Sequence, residues 1–169
     1  MIVGSAGSGK STAARLIGAA LSLPVFHMDR DVYWLPGWQE RPDPERREIV
    51  ARLAGEPRWV FEGSYSSTYG VRLARADLLI WLDTPLPLRL VRVVRRAILG
   101  WGRTRSDLAE GCPEDPKMLP EFVRFILRTH RRSRSKARVL FDEAGCPNHR
   151  FTTARQVNRF VAGLRADAS

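Results

Sequence analysis

Residues 4–11 read Gly-Ser-Ala-Gly-Ser-Gly-Lys-Ser, and this stretch constrains the fold more than any other part of the chain. It matches the pattern G-x-x-x-x-G-K-[ST] at each specified position. Glycines let consecutive backbone amides turn toward one anion, and a helix that starts directly afterwards points its positive end at the same anion. An apolar stripe after Lys10 is typical of such a helix (Ala13, Leu16, Ile17, Ala20). The stretch therefore predicts a strand, a phosphate-binding loop and a helix in direct succession.

The loop also predicts a ligand and a role for its polar side chains. Lys10 is placed to reach the β- and γ-phosphoryl oxygens of a nucleoside triphosphate, and the Ser11 hydroxyl is placed to bind Mg²⁺. We therefore expect ATP and Mg²⁺ as cofactors. The residues expected to surround the triphosphate are contiguous in sequence: Gly4, Ser5, Ala6, Gly7, Ser8, Gly9, Lys10, Ser11 and Thr12.

Short apolar segments alternate with helical patterns along the rest of the chain. Strands are predicted at 1–3, 24–27, 59–61, 78–82 and 150–152, and helices at 10–21, 45–53, 85–99, 117–129, 133–144 and 154–164. This alternation predicts an α/β three-layer sandwich, in which a five-stranded parallel sheet carries helices on both faces. A length of 169 residues suits one domain spanning 1–169.

Composition excludes several other classes of protein. Two cysteines cannot form a disulfide framework. The longest apolar run, residues 78–82, is far shorter than the roughly 20 residues that span a bilayer. We therefore expect a cytoplasmic protein with no membrane partner.

Positive charge is concentrated in one segment. Of the net charge of +10, residues 89–138 contribute +9, with 14 basic residues against five acidic ones. Within the predicted helix 85–99, four arginines (Arg89, Arg92, Arg95, Arg96) fall in an arc of about 120°, which predicts a basic face opposite a buried apolar face. Residues 100–116 are rich in Gly, Pro and charges and predict a lid, flanked by Arg103 and Arg105. A basic segment of this kind favours a polyanionic ligand, either a nucleotide or a nucleic acid.

Four carboxylates directly follow predicted strands. Because the carboxyl ends of parallel strands line the ligand crevice, all four are site candidates. Asp29 is expected to orient a substrate hydroxyl or take its proton, and Asp31 is the weaker candidate for that role. Glu62 is favoured over Asp83 as the carboxylate that assists the metal, because N-capping of the next helix is a sufficient explanation for Asp83.

Aromatic residues cluster in the loop after Asp29. Tyr33, Trp34 and Trp38 either stack on an acceptor molecule or simply pack the loop.

Several of these segments together resemble a known family. Residues 4–12, 24–29, 36–38, 59–65, 102–107 and 111–114 resemble the adenylate-kinase-like group of small P-loop kinases. More narrowly, they resemble the bacterial adenylate-kinase-related proteins, also described as DNA topology modulation proteins. The resemblance implies the P-loop NTPase fold and the use of a nucleotide. Residues 62–66, Glu-Gly-Ser-Tyr-Ser, depart from the Asp-Gly-Phe-Pro-Arg of adenylate kinases and lack the Pro-Arg pair that helps to hold AMP.

The resemblance also implies roles for arginines. Arg92, Arg96 and Arg103 correspond to the arginines that flank the lid, and Arg132 or Arg134 corresponds to the one on the second helix. Of these, Arg96 is expected to bind the nucleotide, and Arg103 and Arg132 are expected to act on the transferred phosphoryl group. We expect an ATP-dependent kinase of a nucleoside, nucleotide or other small metabolite. Two alternatives stay open: a nucleic-acid-binding regulator switched by nucleotide, and an ATPase without a small acceptor.

Overall fold

The computed structural model describes residues 1–167 and contains seven strands and six α-helices. The strands are β1 (Ile2–Gly4), β2 (Val25–His27), β3 (Trp34–Leu35), β4 (Gln39–Glu40), β5 (Val60–Glu62), β6 (Leu79–Leu82) and β7 (Asn148–Phe151). The helices are α1 (Lys10–Leu21), α2 (Asp43–Ala54), α3 (Tyr69–Leu73), α4 (Leu86–Leu99), α5 (Leu119–Asp142) and α6 (Ala154–Asp167). Residues 168 and 169 of the predicted domain lie outside the described residues.

Five strands form one parallel sheet in the order β2-β5-β1-β6-β7, which confirms the predicted fold class. β1 lies in the centre, with Ile2 opposite Glu62 on one side and Gly4 opposite Leu82 on the other. β1 has β5 on one side and β6 on the other, and the strands on the two sides connect in opposite directions across the sheet. In this class of sheet, a ligand crevice opens at the carboxyl end of the strand where the direction changes, which here is β1. The loop 4–11 begins at this point.

Successive side chains of each strand point to opposite faces of the sheet, and each face is covered by helices. On one face Ile2, Val60 and Ile80 pack against α1 and α6. On the other face Val3, Leu79 and Trp81 pack against α5. Because both faces are buried at the centre of the sheet, β6 reads as a continuous apolar run, whereas the edge strand β7 has His149 and Arg150 exposed.

Two predicted helices prove to be one. Residues 119–142 form a single helix, α5, and the predicted break between 129 and 133 is wrong. Residues 130–132 are His-Arg-Arg, with no glycine or proline to end the helix, and they continue it. Ile126, Ala137 and Leu140 lie on the buried side of α5, which ties both halves to the rest of the molecule.

The segment after β2, which the sequence predicts as a loop, contains regular secondary structure. A π-helical segment (Met28–Tyr33) follows β2 directly, and β3 and β4 then form an antiparallel hairpin. Gly37 (φ +77°) and Trp38 (φ +60°) form the left-handed turn of this hairpin. Among residues 1–167, no helix combines the length and apolar character needed to cross a membrane.

Candidate active site

The loop between β1 and α1 depends on glycine for its shape. Gly4, Gly7 and Gly9 have φ angles of +150°, +75° and +96°, which L-residues with side chains rarely adopt. A Cβ on Gly7 would lie 2.6 Å from the carbonyl oxygen of Arg89, and a Cβ on Gly4 would lie 2.6 Å from that of Leu82. The glycines thus let the loop lie directly against α4 and the end of β6.

Side chains behind the loop hold its carbonyl groups. Arg89 Nε donates to the Ala6 oxygen at 2.8 Å, and Arg92 Nη1 and Thr84 Oγ1 donate to the Ser8 oxygen at 3.2 and 3.0 Å. The N–H of a trans peptide points away from its C=O. Because these carbonyls point toward their side-chain donors, the amides of Gly7 and Gly9 point away from those donors. Gly7 and Gly9 both line a cavity of about 1180 Å³.

The predicted buried apolar face of α4 is only partly correct, since Val93 and Ala97 are buried but Val91 and Ile98 are not. The buried residues of α4 are Arg89, Val93 and Ala97, whereas Val91 and Ile98 are 62% and 58% exposed. The reason lies outside the helix: α4 packs against the phosphate loop, whose carbonyls need hydrogen-bond donors. Arg89 supplies one, and burial lowers the pKa of its guanidinium.

Ser11 and Glu62, the two residues predicted at the metal, are in contact. Ser11 Oγ donates to Glu62 Oε1 at 3.0 Å. Glu62 is buried, and the same oxygen lies 2.8 Å from His27 Nδ1. His27 and Glu62 are opposite one another in the β2–β5 register, which explains the contact. Sequence reasoning missed His27, since nothing in the sequence alone pairs these strands.

A second carboxylate near Ser11 comes from the lid. Asp107 accepts a hydrogen bond from Ser11, and Arg105 Nη1 lies 2.8 Å from Asp107 Oδ2. Burial raises the pKa of Asp107, but Arg105 and Ser11 outweigh it and leave that pKa below the usual range. This hydroxyl and these carboxylate oxygens are the donors that Mg²⁺ prefers.

The donor set therefore fits Mg²⁺ only in part. Among residues 1–167, no group of three His, Cys, Asp or Glu is arranged to hold a metal unaided. Mg²⁺ usually keeps several waters and shares substrate phosphate oxygens, so a site of this kind is completed by the nucleotide.

Asp29 lies in the cavity, and Asp31 does not. Asp29 is exposed to the cavity. The cavity itself is surrounded by protein, and the resulting desolvation raises the pKa of Asp29 above the usual range. Lys10 and Arg105 oppose the rise and Glu62 adds to it. Asp31 instead accepts the backbone N–H of His27 at 2.7 Å and pairs with Arg30, so it shapes the turn after β2.

The predicted lid, residues 100–116, is docked on the β3–β4 hairpin. Leu108, Ala109 and Cys112 are buried against Trp34 and Trp38. The Trp38 indole also donates to the Pro113 oxygen at 3.1 Å. The two segments together therefore cover one side of the cavity.

The arginines reach the cavity differently from what the sequence suggested. Arg96 lines the cavity, and Glu114 Oε1 lies 2.9 Å from Arg96 Nε and 2.8 Å from Arg105 Nε. Arg103 is exposed and does not line the cavity, whereas Arg105 does. Arg105 opens a turn in which its carbonyl accepts the Leu108 N–H. Sequence reasoning had noted Arg105 and preferred Arg103, and it had not singled out Glu114.

The structure also leaves Arg132 outside the cavity. Arg132 is exposed on α5 and is not among the residues that line the cavity. Its alternative, Arg134, binds Asp83 through Nε and Nη2 at 2.8 and 2.9 Å.

Asp83 is an ion-pair partner rather than a helix cap. Arg150 also contacts Asp83, with its Nε 3.0 Å from Oδ2, and α4 begins without a side-chain cap. Burial raises the pKa of Asp83, but the hydrogen bonds from Arg134 and Arg150 outweigh it and bring the pKa below the usual range. This carboxylate links β6, β7 and α5, and it is not available to a metal.

Comparisons with known proteins identify the fold. The structure of a shikimate kinase from Aquifex aeolicus aligns with a TM-score of 0.54 at 16% identity, covering 99% of this chain and 98% of that one. A shikimate kinase from Acinetobacter baumannii in complex with shikimate aligns with a TM-score of 0.53 at 14% identity, covering 98% and 92%.

The chain has the fold of the shikimate kinases. No protein-family model and no curated protein matches the sequence. The resemblance to DNA topology modulation proteins therefore has no support beyond the motifs themselves.

Proposed function

We propose that this protein is an ATP-dependent kinase that transfers the γ-phosphoryl group to a hydroxyl of a small molecule. One observation carries the proposal: residues of the glycine loop, Ser11, which contacts Glu62, and Asp29 all line the same cavity. A phosphate cradle, oxygen donors for Mg²⁺ and a carboxylate with a raised pKa are the parts that phosphoryl transfer to an alcohol requires. The shared fold supports the proposal.

The residues divide into a nucleotide group and an acceptor group. The amides of the loop and Lys10 bind the β- and γ-phosphoryl oxygens, while Ser11, Glu62 and Asp107 would hold Mg²⁺. When bound, Mg²⁺ neutralises charge on those oxygens. Arg92, Arg96 and Arg105 line the cavity and supply the remaining positive charge.

The transfer itself uses Asp29 as the proton acceptor. The acceptor oxygen attacks the γ-phosphorus, its O–H bond breaks, and the proton passes to Asp29 and then to water. The bond between the γ-phosphorus and its bridging oxygen breaks, and ADP leaves with the electron pair. A raised pKa makes Asp29 a stronger base than an ordinary carboxylate.

Lys10→Ala tests the proposal. Removing a preorganised cation of this kind should lower turnover by about 10²-fold or more. The matched control is Arg159→Ala, which removes one charge from an exposed position on α6. Phosphoryl transfer is measured with radiolabelled ATP over nucleosides, nucleotides and metabolites. Equal turnover in Lys10→Ala and the wild type would refute the mechanism, and ATP hydrolysis indifferent to every acceptor would favour an ATPase.

A second candidate function, nucleotide-dependent nucleic-acid binding, is favoured by one surface. Arg124, Arg128, Arg131 and Arg132 are exposed within an arc of about 100° on α5. These four make no ion pair with residues 1–167. Phosphate contacts would make binding fall steeply with salt. A gel-shift titration with duplex DNA tests this, and absence of a shift at about 100 mM salt would leave only an enzyme, either the kinase or an ATPase.

A further inference from the structure

The part of the cavity that would receive the acceptor is formed by the residues after β2 and β5. We call it the acceptor wall and define it by its cavity-lining residues: Met28, Asp29, Tyr33, Trp34, Trp38, Glu40, Gly63 and Ser64. Asp29 lies within it. The wall therefore surrounds the group that would take the acceptor proton.

The acceptor wall contains two carboxylates, Asp29 and Glu40, and no basic side chain. Basic residues that line the cavity lie elsewhere: Lys10 and Arg15 on α1, Arg89, Arg92 and Arg96 on α4, and Arg105 in the lid. Five of these six belong to the helices that bear on the phosphate loop. The sixth, Arg105, is already in contact with Asp107 and Glu114.

Basic residues behind the wall are also paired. Arg30 binds Asp31, and Arg46 contacts Glu40 and Asp43. Arg41 contacts Glu45 and donates from Nε to the Val32 oxygen at 3.0 Å. An anionic group on the acceptor would thus meet Asp29 and the Arg46-paired Glu40 directly. The cations that act on Asp29 have other contacts: Lys10 lies 3.4 Å from the Ser5 oxygen, and Arg105 pairs with the lid carboxylates.

Aromatic rings form the rest of the wall. Trp34 packs edge to face against both Tyr33 and Trp38. The ring centroids of Tyr33 and Trp34 are 5.1 Å apart, and those of Trp34 and Trp38 are 5.4 Å apart. The lid packs against Trp34 and Trp38, so the rings are fixed in place. Such rings offer flat apolar faces to the C–H groups of a sugar or to a base, while the carboxylates accept hydrogen bonds from hydroxyls.

Resting on the proposed kinase function, we propose that the acceptor is a polyhydroxy compound of the sugar or nucleoside class that carries neither phosphate nor carboxylate. Like charges placed close together disfavour the wrong ligand. Shikimate, the ligand of the Acinetobacter baumannii enzyme, carries a carboxylate, and the same reasoning excludes it and AMP as acceptors here.

The test uses acceptors in pairs that differ by one anionic group. The pairs are adenosine with AMP, glucose with glucose 6-phosphate, and methyl shikimate with shikimate. The intact protein, ATP and Mg²⁺ are incubated with each, and the product is measured by phosphorus NMR. We expect the neutral member of at least one pair to be used with a kcat/KM at least about 100-fold above its anionic partner.

Two results would overturn the inference. One is preferential phosphorylation of anionic members. The other is phosphorylation of no member while calorimetry still detects binding of ATP with Mg²⁺. Failure to bind ATP would instead refute the proposed function itself, so the two failures are distinguishable.

A variant checks the cause of the preference. Asp29→Asn keeps the shape of the wall and removes one of its two negative charges. Binding is then measured without turnover, by calorimetry with the same pairs. The ratio of anionic to neutral dissociation constants should fall by about tenfold, and an unchanged ratio would contradict the role assigned to this charge.

Discussion

Alanine at Gly7 tests how closely the phosphate loop must approach α4. Gly7 has φ +75°, and a Cβ there would lie 2.6 Å from the Arg89 oxygen, a backbone atom. Relief to an ordinary contact of 3.4 Å requires a movement of about 0.8 Å. Gly37 provides the matched control, because its φ is +77° and a Cβ there would have no atom within 4 Å.

The two variants share the backbone cost and differ in the clash. A left-handed conformation costs a residue with a side chain about 1–2 kcal/mol, which both variants bear. Overpacking adds about 1–3 kcal/mol, which only Gly7→Ala bears. The free energy of unfolding should therefore fall by about 1–2 kcal/mol in Gly37→Ala and by about 2–5 kcal/mol in Gly7→Ala.

Function should separate the variants further. A displacement of about 1 Å in a positioned site can cost about 10²-fold in rate, so Gly7→Ala should lose most ATP binding or turnover while Gly37→Ala retains its ATP binding. Urea unfolding gives the stabilities, and calorimetry with ATP and Mg²⁺ gives the affinities. Equal destabilisation with unchanged ATP affinity in both variants would refute the close packing of the loop on α4.

Two further predictions concern charged groups of the site. Asp29→Asn should lower kcat by about 10²–10⁴-fold. In the wild type, the raised pKa should place the acid limb of the pH–rate profile above the usual range of an aspartate, and Asp29→Asn should lack that limb. The same shift means that the folded protein binds this proton more tightly than the unfolded chain, so ionised Asp29 destabilises the fold as pH rises through its folded pKa. Asp29→Asn should thus have a higher Tm than the wild type at pH 7, and an unchanged Tm would contradict the desolvation. Arg105→Ala should lower kcat by at least about tenfold, whereas Arg103→Ala, at an exposed lid position, should not. A loss in Arg103→Ala alone would reverse the assignment.

The sequence by itself determined many of the local elements, although not the unbroken α5 or the β3–β4 hairpin. The glycine spacing of residues 4–11 and the apolar stripe after Lys10 predicted the loop and α1, whose bounds are Lys10–Leu21. The apolar runs likewise predicted the strands of the sheet to within one or two residues. These features depend on backbone conformation and on periodicity over a few residues, which a sequence records directly.

Only the tertiary structure decided which side chains meet. Glu62 and Ser11 were expected together because strand ends converge, but His27 joined them through the strand register, and Glu114 bridges Arg96 and Arg105 across the lid. The burial of α4 was predicted only in part for the same reason, since Arg89 is buried while Val91 and Ile98 are exposed. Helical periodicity divides the residues between two faces, but which face turns inward depends on the neighbouring element. Here that element is a loop with carbonyls to satisfy, and arginine satisfies them where valine cannot.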